Sequence, residues 1–218
     1  DSIIGTTATD PRLGQQGWQF TGEMGSDRDP LHGAHYLHEL YTRADPRYTG
    51  RATVPVLWDT RQHTIVNNES SELLQILDRD FGKLADARIE LRPAALESEI
   101  DGVNARLYDD FNNGVYQAGF AGTQKAHEEA VTRVFAMLEL LENRLTESDW
   151  LVGNQLTECD IRAFVTLVRF ELAYAGVFKC NLHPLSHYPS VLGYLKRLLA
   201  LPAFAASVRP SHIKAGYY

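Results

Sequence analysis

The sequence predicts a small α/β unit followed by an all-helical unit, with the change of character near residue 93. Two observations carry this. Before Pro93 the segments are short and mixed, and two of them, Thr53–Trp58 and His63–Val66, are dominated by β-branched and apolar residues, the composition of strands. After Pro93 apolar residues recur every three or four positions over long stretches, which places them on single helix faces. The expected units are residues 1–92 and 93–218.

In order along the chain, Ile3–Ala8 reads as a strand and is followed by a polar loop. Asp29-Pro30 precedes a helix expected over Leu31–Thr42. Thr53–Trp58 and His63–Val66 are the next strands. Asn67-Asn68 marks a helix start, and Glu69–Leu77 repeats apolar residues at helical spacing. In the second unit Leu96, Ile100, Val103, Leu107 and Phe111 form one stripe. Val131, Val134, Phe135, Leu138, Leu141 and Leu145 form another, and Ile161, Phe164, Val165, Val168 and Leu172 a third. Val191–Ala200 reads as a last long helix, ended before Pro202. The sum suggests a thioredoxin-like half joined to a helical bundle.

Composition narrows the function. The net charge of −7 over 218 residues offers no basic footprint for nucleic acid or an anionic membrane. No apolar run approaches a membrane span, and the start lacks a basic and then apolar signal pattern. Two cysteines make no disulfide framework, so a reducing, cytoplasmic setting is expected. Cys159 and Cys180 lie in no C-x-x-C context and read as small buried apolar groups. His32, His35 and His38 recur every three residues, which on a helix spreads them around the axis, so no metal is expected. No P-loop and no G-x-S-x-G is present.

Three patterns carry chemistry. In Thr53-Val54-Pro55 a proline inside a strand is either an ordinary edge residue or a cis bond that turns the Val54 backbone toward an extended, peptide-like ligand. Asn68-Glu69-Ser70 at a helix start is either a plain cap or a seat for an α-amino acid head. In the second reading Ser70 and the helix N–H groups take a carboxylate, and Glu69 takes an ammonium group. Tyr116, Tyr174 and Tyr217 can donate hydrogen bonds or act as acids in a dry site, though spacing alone makes them core or rim residues. Thr157-Glu-Cys-Asp160 reads as a capping box with no catalytic part.

Together, Gly17-Trp18-Gln-Phe20, Ala44-Asp-Pro46, Gly50 to Asp59 and Thr64 to Ser70 resemble the thiol-site half of glutathionyl-hydroquinone reductases, the Xi-class glutathione transferases. Asn112-Asn-Gly-Val-Tyr-Gln-Ala-Gly-Phe120, Leu156 to Arg162, Phe178-Lys-Cys180 and His212-Ile-Lys214 resemble their helical half. The resemblance runs from about Ile3 to Tyr218. It implies a thioredoxin-like domain followed by an all-helical transferase domain, a homodimer, and thiol-dependent reduction of glutathionyl-hydroquinones or related thiol-conjugated aromatics. The co-substrate it implies is glutathione or another low-molecular-weight thiol.

Carried over residue by residue, the resemblance assigns thiol binding to Trp18, Arg51, Ala52, Thr53, Val54, Glu69 and Ser70. It makes Tyr116 the acid that protonates the leaving aromatic carbon, with Tyr174 and Tyr217 lining the hydroquinone pocket. The family's nucleophilic cysteine sits in a Cys-Pro-Trp-Ala motif upstream of the strand matched by Ile3–Ala8. Nothing in this chain matches that motif, so the cysteine is expected upstream of Asp1, with this sequence part of a longer chain. The alternatives are a general glutathione thioltransferase and a non-catalytic transferase-fold binding module.

Overall fold

The computed structural model describes residues 6–84 and 89–218. It divides into two compact units, residues 1–85 and 86–218.

In the first unit α1 spans Leu37–Ala44, β1 Leu57–Asp59, β2 Thr64–Asn67 and α2 Ser70–Arg79. The strands are antiparallel, pairing Trp58 with Ile65 and Asp59 with Thr64, with a bulge between Leu57 and Trp58. Their turn is held by the Asp59 carboxylate, which accepts from Arg61 N–H at 2.7 Å and Gln62 N–H at 2.9 Å. A small core of Phe20, Ala34, Leu37 and Tyr41 lies beneath, with Trp18, Tyr48, Ala52 and Ile65 packed on it.

Three expectations change here. Thr6–Ala8 is not a strand, and Ile3–Gly5 lie outside the described residues. The stretch around Ala8 is instead tied by carboxylates: Asp27 accepts from Ala8 N–H, and buried Asp10 accepts from Arg12 and Thr21. The Leu31–Thr42 helix begins only at Leu37. Asp29 accepts from the N–H groups of Leu31, His32 and Ala34, and Gly33 has φ +65°, so 31–34 form a turn that the Asp29 side chain closes. The strand expected from Thr53 begins at Leu57: Pro55 has no N–H to give a ladder, and the Val54–Pro55 bond is cis.

The second unit is helical: α3 Glu97–Arg106, α4 Gly114–Gly119, α5 Gln124–Glu147, α6 Glu158–Arg169, α7 Ala175–Val177, α8 Pro189–Ala200, α9 Pro202–Ser207 and α10 Pro210–Tyr217. Two π-helical segments, Leu107–Asn112 and Phe170–Tyr174, extend α3 and α6. The α5 stripe is buried as expected. The third stripe is rotated from expectation: Val165 is 42% exposed, and the core face of α6 is Cys159, Ala163, Phe164 and Leu167, continuing into Phe170. A polar residue, Thr166, is buried on that helix beside Asn112, whose amide donates to it at 2.6 Å. Hydrophobicity alone therefore placed the face wrongly.

Polar groups fix the start of α6. Thr157 and Asp160 form the capping box read from the sequence. Asp160 is fully buried and also accepts from Leu151 N–H at 3.0 Å and the Tyr194 hydroxyl at 2.7 Å. Next to it buried Glu158 accepts from Arg92 at 2.9 Å and from the Asn104 amide, and its own N–H donates to the Leu91 carbonyl. Among the described residues no single helix is long and apolar enough to cross a membrane.

Candidate active site

In the first unit the loop before β1 is held open by tyrosines. The Tyr41 hydroxyl donates to the Thr53 carbonyl at 2.7 Å and accepts from the Thr53 N–H at 3.2 Å. The Asn68 amide donates to the Thr53 Oγ1 at 3.1 Å. Tyr48 donates to the Arg51 carbonyl at 2.8 Å, and its ring lies 4.9 Å from that of Tyr41. A side chain on Gly50 would meet the Tyr48 hydroxyl at 2.6 Å, so glycine is what lets that ring lie over the loop. Thr53 is thereby pinned on both backbone atoms. Val54 beside it is exposed, and its backbone has no hydrogen-bond partner among the described residues.

At α2 the capping is done from outside the helix. Asn67 Oδ1 accepts from the Glu69 N–H at 2.7 Å, and Glu69 is the N-cap without using its side chain. The Glu69 carboxylate and the Ser70 hydroxyl are exposed and have no hydrogen-bond partner among the described residues. Trp18 is placed by its carbonyl, which accepts from Leu37 N–H at the start of α1. So α1 joins Trp18 and Thr53, and Asn68 joins Thr53 to the start of α2. The Arg51 side chain is exposed, and Ala52 packs into the small core.

In the second unit three distant tyrosines converge. Tyr116 comes from α4, Tyr174 from the end of the second π segment, and Tyr217 from the end of α10. The Tyr174 hydroxyl is 3.4 Å from that of Tyr116 and 3.1 Å from that of Tyr217, and the Tyr116 and Tyr217 hydroxyls are hydrogen-bonded to each other. Phe178 and Phe120 pack against this cluster. Local sequence explains each arm. Gly114 lets α4 approach α5, since a Cβ there would lie 3.1 Å from Val134. The π segment that follows α6 directly ends at Tyr174 and buries it in the core beside Phe170 and Ala173. Pro210 opens α10 at a position where its missing N–H is harmless.

Burial sets the protonation of Tyr174 and Tyr217. It pushes Tyr217 up to about 12, with the hydrogen bond to Tyr116 adding to the effect. Burial raises Tyr174 further, helped by Tyr116. Both remain phenols at neutral pH and present donors rather than charges. Burial likewise raises Cys159 to about 12 and Cys180 to about 11. Neither sulfur is a thiolate at neutral pH, so neither has the character of a nucleophile.

The three histidines do not share a helix, because His32 and His35 precede α1. His32 packs instead against Trp58, with ring centroids 5.2 Å apart. Tyr41 and Tyr48 were missed by sequence reasoning. Their only signal was a Tyr-rich stretch before the Thr53 segment.

The chain is similar to known glutathione transferases in sequence and in fold. A family model described as the glutathione S-transferase C-terminal domain matches residues 124–197. Glutathionyl-hydroquinone reductase PcpF of Sphingobium chlorophenolicum is 44% identical over 218 residues, covering 100% of this chain and 70% of that protein. The crystal structure of glutathione transferase Xi 1 from Trametes versicolor superposes with a TM-score of 0.96 at 45% identity, covering 99% of this chain and 77% of that one. The glutathione-bound structure of YqjG from Escherichia coli K-12 superposes with a TM-score of 0.94 at 43% identity, covering 97% of this chain and 69% of that one.

Proposed function

Because the chain belongs to the glutathionyl-hydroquinone reductase family, the Xi class of glutathione transferases, we propose that it reduces glutathionyl-hydroquinones to hydroquinones through a cysteine mixed disulfide. The observation that carries this reading is the meeting of the Tyr116, Tyr174 and Tyr217 hydroxyls in one half-buried aromatic cluster. A packing role alone does not require three phenols to face one another.

The co-substrate is glutathione or another low-molecular-weight thiol. Val54 pairs with its cysteinyl backbone, in the manner of strand addition. Glu69 takes the ammonium and Ser70 the carboxylate of a γ-glutamyl head, with Arg51 offering a cation to a second carboxylate. Ala52 and Thr53 shape the loop, and Trp18 covers the tripeptide. Among the described residues the Val54 backbone and the Glu69 and Ser70 side chains have no hydrogen-bond partner, which supports these roles.

The nucleophile is a cysteine thiolate from the segment expected upstream of Asp1, since Cys159 and Cys180 are buried and protonated. It attacks the sulfur of the conjugate. An S–S bond forms, the sulfur–aryl bond breaks, and the electron pair leaves on the aryl carbon, which takes a proton from Tyr116. The sulfurs are oxidised and the aryl carbon is reduced. Free thiol then exchanges with the mixed disulfide, releasing a disulfide, regenerating the thiolate and returning a proton to Tyr116. Tyr174 and Tyr217 line the aromatic pocket and donate to developing negative charge. A homodimer and a cytoplasmic setting belong to the same proposal and rest on the family resemblance.

The test is glutathione-dependent turnover of a glutathionyl-hydroquinone by the protein carrying its upstream segment. Tyr116→Phe should lower kcat by about 10²- to 10⁴-fold, the range of a positioned acid, and leave glutathione affinity in place. Turnover of mixed disulfides with none of the aromatic conjugate would favour a general thioltransferase. Thiol binding without any turnover would leave a binding module.

A further inference from the structure

The tyrosine cluster is organised around a ring that is not a tyrosine. Phe178 is buried, and its centroid lies 5.4 Å from the ring of Tyr116, 5.5 Å from Tyr174 and 5.8 Å from Tyr217. It stacks on Tyr174 at 18° and meets Tyr116 and Tyr217 edge-on at 62° and 78°. Phe120, which is 77% exposed, lies 5.5 Å away on a further side. These are the stacked and edge-to-face arrangements that ring quadrupoles favour. A single side chain therefore touches all three phenols.

Two features fix that ring. The Tyr174 carbonyl accepts from both Phe178 N–H and Cys180 N–H at 3.1 Å. Lys179 between them sits at φ +57°, a left-handed conformation that non-glycine residues adopt only when their surroundings hold them there. On the opposite side Gly119 faces the ring directly, and a Cβ there would overlap the Phe178 ring atoms. The backbone thus sets where Phe178 starts, and the missing side chain at 119 sets where its ring can go.

We infer that Phe178, seated by Gly119, is a positioning residue that fixes the relative placement of the Tyr116, Tyr174 and Tyr217 hydroxyls. This rests on the function proposed above. Phe178 has no polar atom to offer the reaction and acts only through the phenols. Gly119 acts one step further away, by leaving room for Phe178. Both residues belong to the second unit, so the relationship holds within one packed core.

The experiment compares Phe178→Ala, Gly119→Ala and the double variant in the protein carrying its upstream segment, with circular dichroism to confirm folding. Each single change should lower kcat for a glutathionyl-hydroquinone by ~10- to 100-fold, the scale of an ångström-level misplacement, with KM for glutathione unchanged. The double variant should be no worse than Phe178→Ala alone, because alanine lacks the Cγ and Cδ atoms that the methyl at 119 would meet. That non-additivity is the mark of one shared contact. The second readout needs no turnover: the Tyr217 phenol, followed by NMR of ring-labelled tyrosine and assigned with Tyr217→Phe, should titrate at lower pH in both single variants. Additive kinetic losses, or folded variants in which the Tyr217 titration does not move, overturn the inference. If the parent protein turns over no hydroquinone conjugate, the functional reading fails, and the Tyr217 titration still decides the positioning.

Discussion

The hydroxyl of Tyr174 lies 3.1 Å from that of Tyr217, 43 residues further along the chain. Both are raised by burial and both hold their protons at neutral pH. Each phenol has one proton and can accept as well as donate, so a cluster of three can pass hydrogen-bond direction among its members at no cost in charge. A thiolate or carbanion arriving beside it would meet donors already in place, which is the condition for electrostatic preorganisation.

Protonation of these buried groups should make the fold alkali-sensitive. The unfolded thiols ionise near 9 and the unfolded phenols near 10, while Cys180 holds its proton to about 11 and Cys159 and Tyr217 to about 12. The folded-state values are raised, so the stabilisation is complete below pH 9 and is lost as pH rises through that window. Thermal melts should fall from pH 9 to 11. A level melting temperature across that range would show that these protons are not linked to folding.

Tyr41→Phe tests the thiol half. The change removes the donor to the Thr53 carbonyl and the acceptor of the Thr53 N–H while keeping the ring in its core. Two lost hydrogen bonds should cost ~1–2 kcal/mol of stability. Loosening Thr53 also loosens Val54 beside it, so glutathione affinity should drop by roughly tenfold, or ~1.4 kcal/mol. Isothermal calorimetry measures it. Unchanged affinity would mean that Val54 does not bind the thiol backbone.

The sequence showed the plan of the fold more clearly than its details. The α5 stripe and the Thr157–Asp160 capping box were legible because each depends on residues within one helical turn or one periodic run. The start of α1 was not, since it depends on the Asp29 side chain closing a turn in place of a helix. The face of α6 was misread because Thr166 is buried against Asn112, 54 residues away. The tyrosine cluster is the extreme case. Tyr116 and Tyr217 are 101 residues apart, and no local pattern joins them. Their residue type suggested hydrogen-bond donors, but spacing alone read as core or rim, and only the family resemblance joined them into one site.

Asp160 shows how much of the second unit hangs on one side chain. It is fully buried and accepts four hydrogen bonds: Thr157 N–H at 2.7 Å, Thr157 Oγ1 at 3.0 Å, Leu151 N–H at 3.0 Å and the Tyr194 hydroxyl at 2.7 Å. Asp160→Ala strands these donors away from water and should cost about 3–5 kcal/mol in urea unfolding. Thr157→Ala, which removes one capping partner, should cost about 1–2 kcal/mol. Equal losses would argue that the cap, rather than the wider network, is what matters.

The two cysteines give the sharpest test of where the chemistry resides. Cys159 lies against the Ile100 carbonyl and Cys180 near that of Phe178, both in the core, and burial raises both thiols above any value that gives thiolate at neutral pH. Thiol–disulfide exchange needs both thiolate and access. Native protein incubated with glutathione disulfide should therefore carry no glutathione on either residue by mass spectrometry, and both should react once urea unfolds the chain. Cys159→Ala and Cys180→Ala should cost stability through the lost sulfur contacts, about 1–2 kcal/mol each by volume, without abolishing turnover in the protein that carries its upstream segment. A glutathione adduct on Cys159 or Cys180 in the folded state, or loss of all turnover in a well-folded Cys180→Ala variant, would move the nucleophile into this chain and overturn the assignment of both sulfurs to the core.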